Sequence, residues 1–218
     1  MTSNEARRKG LALALLCLAQ FMVVLDFSIV NVALPSMQRD LGFSTQNLQW
    51  VISAYSLTLG GLLLLGGRLG DIYGRRFLFM LGLALFSFAS LGGGLAPSGL
   101  WLIGARAIQG IGAALVAPTS LSLISTTFAQ GEERNKAFGV VGSVASAGFA
   151  AGAILGGLLT STLGWRWVMF VNVPIGILAI VATPFLLQEY RVQDGHRRVD
   201  VGGAFTVTAG IIALVYAL

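Results

Sequence analysis

Two ionisable side chains stand inside otherwise apolar runs: Asp26 within residues 11–34 and Arg106 within residues 100–128. A carboxylate held in an apolar environment can take up and release a proton or bind a cation, and a guanidinium can serve as its counter-charge. Left alone in hydrocarbon, either charge would cost at least about 2.5–3.5 kcal/mol on insertion scales, so each should face a partner or a water-filled cavity. With a helical rise of 1.5 Å per residue, Asp26 lies about 13 Å inward from Pro35 and Arg106 about 9 Å inward from Leu100, so the two could meet in the outer half of a bundle. Two readings of such a meeting stand: a structural ion pair, or a site for a proton or cation.

Other chemistry is scarce. Gly67-Arg68-Leu69-Gly70-Asp71-Ile72-Tyr73-Gly74-Arg75-Arg76 is glycine-rich and basic, and Asp71 and Arg75 form an i, i+4 pair if the segment coils. The phosphate-cradling spacing G-x-G-x-x-G is missing, and no short strand precedes it, so nucleotide binding is not expected. Cys17 and His196 are the only cysteine and histidine, which leaves no disulfide framework, no Cys/His metal site and no cofactor to be expected. A Ser-His dyad needs a histidine at membrane depth, and an aspartyl dyad needs two carboxylates at one depth. His196 lies in a polar segment, while Asp26 and Asp71 lie toward opposite faces, so an intramembrane enzyme is the weakest reading and the chain is taken not to be an enzyme.

The elements that must position these residues are long. Residues 11–34, 48–65, 77–96, 100–128, 137–160, 167–187 and 201–218 are each apolar and near the roughly 17–25 residues a spanning helix needs. Hydrophobic residues make up 56% of the chain and charged ones 11%, so the expected class is an all-α polytopic membrane protein embedded in a lipid bilayer. Arg7, Arg8, Lys9, Arg68, Arg75, Arg76, Arg134, Lys136, Arg191, Arg197 and Arg198 fall on one side of that topology, and Arg39 and Arg166 on the other. The excess of positive charge is therefore topological and points to no nucleic acid. The positive-inside rule puts the N-terminus in the cytoplasm of a multi-pass protein of the cell membrane. The expected organisation is a cytoplasmic N-terminus at 1–10, a six-helix bundle at 11–187, a cytoplasmic linker at 188–200 and the start of a seventh helix at 201–218, capped by Asp200. No charged flank follows that last run, so it reads as a truncated helix or as one ending in lipid.

Gly148, Gly152 and Gly156, with Gly157 beside them and Gly139 and Gly142 upstream, form a small-residue face on the fifth span that lets two helices approach closely. Trp50, Trp101, Trp165 and Trp167 sit near helix ends and are assigned to the interfacial aromatic belt. Gln20, Asn31, Tyr55, Gln109 and Asn172 are polar residues within spans, able either to line a substrate chamber or to join helices by hydrogen bonds.

Several of these stretches carry a family resemblance. The 67–76 segment matches the loop motif G-x-L-[AG]-D-x-x-G-R-[KR] of the major facilitator superfamily, and Arg106-Ala107-Ile108-Gln109-Gly110-Ile111-Gly112 matches its R-x-x-Q-G-x-G. Leu25-Asp26-Phe27-Ser28-Ile29-Val30-Asn31-Val32-Ala33-Leu34-Pro35 resembles the first-helix motif of the fourteen-helix drug:H⁺ antiporters, L-D-x-T-I-V-N-V-A-L-P. Trp165-Arg166-Trp167 followed by Phe170, Asn172, Val173 and Pro174 resembles the start of the sixth helix in that group. The chain thus resembles the N-terminal half of such a transporter, with two departures: Ser28 replaces a threonine, and Ala153 replaces the proline of the antiporter motif G-P-x-x-G-G at 152–157. The resemblance implies proton-driven efflux of hydrophobic or cationic small molecules, including antibiotics, by alternating access between two six-helix bundles. It implies Asp26 as the protonation site with Arg106 as its charge partner. Gly67, Gly70, Asp71, Gly74, Arg75 and Arg76 are implied as a latch against a missing C-terminal half or a second chain. Gly148, Gly152, Gly156 and Gly157 are implied as the packing motif, and Asn31, Tyr55 and Gln109 as possible chamber residues. The alternative is a half-transporter that does not transport unless two chains pair.

Overall fold

A computed structural model of the chain describes residues 3–189 together with Gly203, Thr206, Val207 and Gly210. The order is α1 (Ser3–Leu41), α2 (Thr45–Tyr73), α3 (Arg75–Gly94), α4 (Gly99–Thr127), α5 (Glu132–Thr162), α6 (Arg166–Phe170) and α7 (Asn172–Leu186). Among the described residues every regular element is helical, and six of the helical stretches, with Arg166–Leu186 taken as one, are long and apolar enough to cross a membrane. Gly203, Thr206, Val207 and Gly210 are helical, as the start of a seventh helix requires. The expected Asp200 cap, the basic residues at 191, 197 and 198, and His196 lie outside the described residues.

The helices outrun their apolar cores. α1 passes through Pro35 to Leu41, where Met37 is fully buried against Val51 and Trp165 in the cluster at that end of the bundle. Ser44 and Ser98 accept hydrogen bonds from the Asn47 and Trp101 N–H groups and so cap α2 and α4, satisfying donors that the first turn leaves free. The segment expected to be a loop at 66–76 is almost wholly helix: α2 continues to Tyr73, and the reversal is made at Gly74 alone, with φ +110°. A side chain there would be strained, and its Cβ would lie 2.8 Å from the Glu189 carboxyl carbon.

The sixth span departs from the continuous run expected at 167–187. It is divided at Val171 into α6 and α7, because Pro174 has no N–H for the Phe170 carbonyl four residues back. The break sets Asn172 at the start of α7, fully buried.

α4 is the hub, touching α1, α2, α3 and α5, while α5 lies along α1 and α7 packs on α3 and α1. Close approach depends on glycine. A Cβ on Gly152 would lie 2.7 Å from Ser28 Cβ and 2.9 Å from the Leu25 carbonyl oxygen, and one on Gly156 would lie 3.0 Å from the Ile29 oxygen. Gly148 sits against Phe21 in the same seam. Gly139, Gly142 and Gly157 have nothing within 4 Å of a built Cβ, so the small-residue face is Gly148, Gly152 and Gly156 alone. α5 runs unbroken through Ala153, which is exposed.

Trp165 also departs from expectation. It is buried, not interfacial: its Nε1 donates to Asp40 Oδ2 at 2.9 Å, and Arg166 both pairs with Asp40 and stacks on the Trp165 ring at 4.5 Å. This cluster ties the end of α1 to the start of α6. Trp50, Trp101 and Trp167 remain partly exposed near helix ends.

The glycine seam gives a clear test. Gly152→Val should force α1 and α5 apart at a cost of about 1–3 kcal/mol, read as a lower thermal unfolding midpoint in detergent. Gly157→Val, into open space, should leave the midpoint unchanged.

Candidate functional site

The bundle closes on a buried polar network that α1, α3, α4 and α7 build together. Asp26 falls on α1 between the two hydrophobic clusters, one containing Met22 and Val23 and the other Ile29 and Val30. Its Oδ2 accepts a 2.5 Å hydrogen bond from Arg106 Nη1, completing an ion pair whose side chains are 0% and 1% exposed. Asp26 Oδ1 accepts from Gln109 Nε2 at 3.1 Å and from Asn172 Nδ2 at 2.7 Å. Both carboxylate oxygens are thus held by donors.

Arg106 is held as firmly. Its Nη1 also donates to Gln109 Oε1 at 2.9 Å, its Nε donates to the Val51 carbonyl at 3.1 Å, and the Tyr55 ring lies 4.3 Å from its Cζ, a cation–π distance. Gln109 is three residues from Arg106, so the two share one face of α4. Gln109 Nε2 donates to Ser90 Oγ on α3 at 2.6 Å, and the Ser90 hydroxyl donates to the Phe86 carbonyl at 2.7 Å.

The helix-four motif owes its glycines to packing at this site. A Cβ on Gly110 would strike Thr58 and the Tyr55 carbonyl of α2, and one on Gly112 would lie 2.7 Å from the Phe86 nitrogen of α3. Only glycine lets α4 approach both neighbours closely enough for Arg106 and Gln109 to span them.

Of the polar residues expected to line a chamber, Tyr55 and Gln109 are fully buried here. Tyr55 donates to the Val23 carbonyl at 3.4 Å. Asn31 points out of the bundle, exposed, and donates within its own helix to the Phe27 carbonyl at 2.7 Å. Gln20 joins α1 to α4 through Ser120 at 2.6 Å, a helix-to-helix bond. Ser28, standing for the motif threonine, donates to the Phe149 carbonyl at 2.7 Å. Nothing in the sequence singles out Ser90. A lone hydroxyl in an apolar span is common, and only the α3–α4 contact shows which serine meets Gln109.

The 67–76 segment lies at the other end of the spans. Arg75 Nη2 pairs with Asp71 Oδ1 at 2.8 Å, and its Nη1 donates to the Ser122 carbonyl of α4 at 3.3 Å. Arg76 donates through its N–H to Glu189 Oε1 at 3.2 Å and through Nη1 to the Leu187 carbonyl at 3.2 Å. Gly67 and Gly70 press on Pro118 and Thr119 of α4. The motif therefore grips the ends of α4 and α7 within this chain. Lys9 pairs with Glu133 at 2.9 Å at the same end.

Chemically, three donors, one of them cationic, converge on the Asp26 carboxylate and satisfy both of its oxygens. A proton on Asp26 would cancel the Coulomb attraction to Arg106, so the contact joining α1 to α4 would loosen. Among the described residues no group of three or more His, Cys, Asp or Glu side chains could hold a metal ion.

Six membrane-length helices around a buried ion pair make this a polytopic helical protein of the membrane class. The family model of the Major Facilitator Superfamily matches residues 16–216, and the chain belongs to that superfamily. It is 48% identical over 210 residues to the puromycin resistance protein pur8 of Streptomyces alboniger, covering 96% of this chain and 42% of that protein. It is 48% identical over 204 residues to the cephamycin export protein CmcT of Amycolatopsis lactamdurans, covering 93% and 42%. The multidrug resistance protein Stp of Mycobacterium tuberculosis (strain CDC 1551 / Oshkosh) is 41% identical over 201 residues, covering 92% and 37%. The chain thus spans about two fifths of the length of these relatives. The fold is shared with solved structures at low identity. A peptide transporter POT in complex with sulfate superposes with TM-score 0.69 at 18% identity, over 94% of this chain and 45% of that one. A bacterial homologue of the human lysosomal transporter Spinster, inward-facing and occupied, superposes with TM-score 0.73 at 20% identity, over 88% and 47%.

The ion pair has a direct energetic test. Arg106→Leu alone should destabilise the bundle by about 3–5 kcal/mol, because it strands a buried carboxylate. Asp26→Leu/Arg106→Leu together should recover most of that loss. Thermal unfolding of both variants in detergent measures the difference.

Proposed function

We propose that this chain forms the proton-coupling part of a membrane efflux transporter for hydrophobic or cationic small molecules. The observation that carries the reading is the Asp26–Arg106 pair, fully buried and shared by helices that would have to part for a site to open. Its support in kind comes from relatives named for puromycin resistance, cephamycin export and multidrug resistance.

In this mechanism Asp26 alternates between carboxylate and acid. A proton arriving from outside neutralises Asp26 and releases Arg106, and its loss to the cytoplasm restores the pair. A cationic or amphiphilic substrate competes for the same carboxylate. The six helices rock against a second six-helix half, or against a second chain, so that the site opens to one side at a time. The basic end of the bundle, including the N-terminus, is cytoplasmic under the positive-inside rule. There the Asp71–Arg75–Arg76 segment acts as a latch between halves, and its grip on α4 and α7 would transmit the latch to the pair. Gly148, Gly152 and Gly156 let α5 slide on α1 as the bundle rocks. No cofactor is invoked, since the proton gradient supplies the energy. One proton moving down one pH unit and 100 mV yields about 3.7 kcal/mol, enough for a gradient of a few hundred-fold in a neutral substrate.

Asp26→Asn keeps the size and burial of the side chain but cannot change its charge. Insertion into the membrane should be retained, while proton-driven uptake of a fluorescent amphiphilic cation into inverted vesicles should fall to the level of vesicles without the protein. Efflux that survives in this variant with its dependence on the pH gradient intact would reduce the pair to a structural one.

A further inference from the structure

Asn172 differs from the other donors to Asp26. It is fully buried and gives Nδ2 to Asp26 Oδ1 at 2.7 Å, yet its own carbonyl oxygen, Oδ1, meets no hydrogen-bond donor among the described residues. Leaving a buried acceptor unpaired costs about 1–3 kcal/mol, and the amide tolerates that cost while Asp26 is a carboxylate. Gln109 is employed at both ends, with Oε1 taken by Arg106 and Nε2 shared between Asp26 and Ser90. Arg106 can only donate. Asn172 is therefore the one amide touching Asp26 whose acceptor end is idle.

Protonation changes what Asp26 needs. An acid O–H at Oδ1 becomes a donor, and it requires an acceptor at the place where Asn172 Nδ2 now sits. A half-turn of the Asn172 amide about its terminal torsion, which is soft and roughly two-fold, exchanges Nδ2 for Oδ1 without changing the shape of the side chain. We infer that Asn172 is a two-way hydrogen-bond partner of Asp26, donating through Nδ2 to the carboxylate and accepting through Oδ1 from the carboxylic acid. It is a positioning residue: it holds the carboxyl in place through proton gain and loss. The proton comes from water and forms an O–H bond on Asp26. No bond to Asn172 is made or broken, only the direction of the hydrogen bond. The groups facing Asp26 that carry or could change charge are Arg106 of α4 and, beyond it, Tyr55 of α2. α3 contributes Ser90 to this network, while Arg166 of α6 is engaged far away with Asp40, and the charged residues of α5 end at Lys136.

The inference rests on Asp26 taking up a proton, and infrared difference spectroscopy separates the two claims. The whole chain in lipid nanodiscs is compared at neutral and acid pH, and the carbonyl stretch of protonated Asp26 is identified by its disappearance in Asp26→Asn. In Asn172→Leu the acid has lost its acceptor, so that band should shift to higher frequency. In Asn172→Thr, whose hydroxyl both donates and accepts, it should remain near the wild-type position. A band that stays put in Asn172→Leu, or that moves equally in Asn172→Leu and Asn172→Thr, overturns the role of Asn172 while leaving Asp26 a proton site. Absence of any titrating band attributable to Asp26 overturns both.

Discussion

A carboxylate and a guanidinium with no access to water must answer each other, and the rest of this bundle is arranged so that they can. Either charge alone would be costly at this depth, so Asp26 and Arg106 have to reach one another across the contact of α1 with α4. Coulomb attraction alone does not compensate the loss of hydration; the remaining lone pairs and N–H groups must also be satisfied. Gln109, Asn172, the Val51 carbonyl and the Tyr55 ring do that, and they come from α4, α7 and α2. One ion pair therefore constrains the relative placement of most of the spans.

Glycine makes this constraint compatible with a lipid-embedded bundle. Apolar surfaces gain little from meeting one another when lipid is as apolar as they are, so helices associate by close packing and by polar contacts between them. Gly110 and Gly112 bring α4 against α2 and α3, and Gly152 and Gly156 bring α5 against α1. The same smooth seams that permit close packing resist sliding less than interlocked large side chains would. At the basic end, the 67–76 segment tethers α2 and α3 to α4 and to the end of α7 through arginines bonded to backbone carbonyls. The network at the ion pair and the grip at the basic end are thus two polar attachments on the same helices, joined by glycine-lined contacts.

Much of this was legible in the sequence for a simple reason. Long apolar runs admit few charges, so Asp26 and Arg106 stood out by type, and their depths could be compared from the helical rise alone. The Asp71–Arg75 pair followed from i, i+4 spacing. What stayed hidden depended on contacts between helices. Ser90 is one hydroxyl among several, and only packing selects it. Trp165 near a helix end looks interfacial until Asp40 and Arg166 are seen to close over it. Hydropathy could not separate Gly157, in open space, from Gly156, against the Ile29 carbonyl. The interruption at Val171 was present in Pro174, but an apolar run masks a backbone break because hydropathy carries no information about hydrogen bonds.

The central claim, that Asp26 exchanges a proton while buried against Arg106, is tested most directly by counting protons. Potentiometric titration of the purified chain and of Asp26→Asn, over the pH range in which both remain folded, measures the difference in protons bound per molecule. The account predicts that the wild-type chain takes up one proton more than the variant. Superimposable titration curves across that range would contradict it and leave the pair as a fixed internal strut.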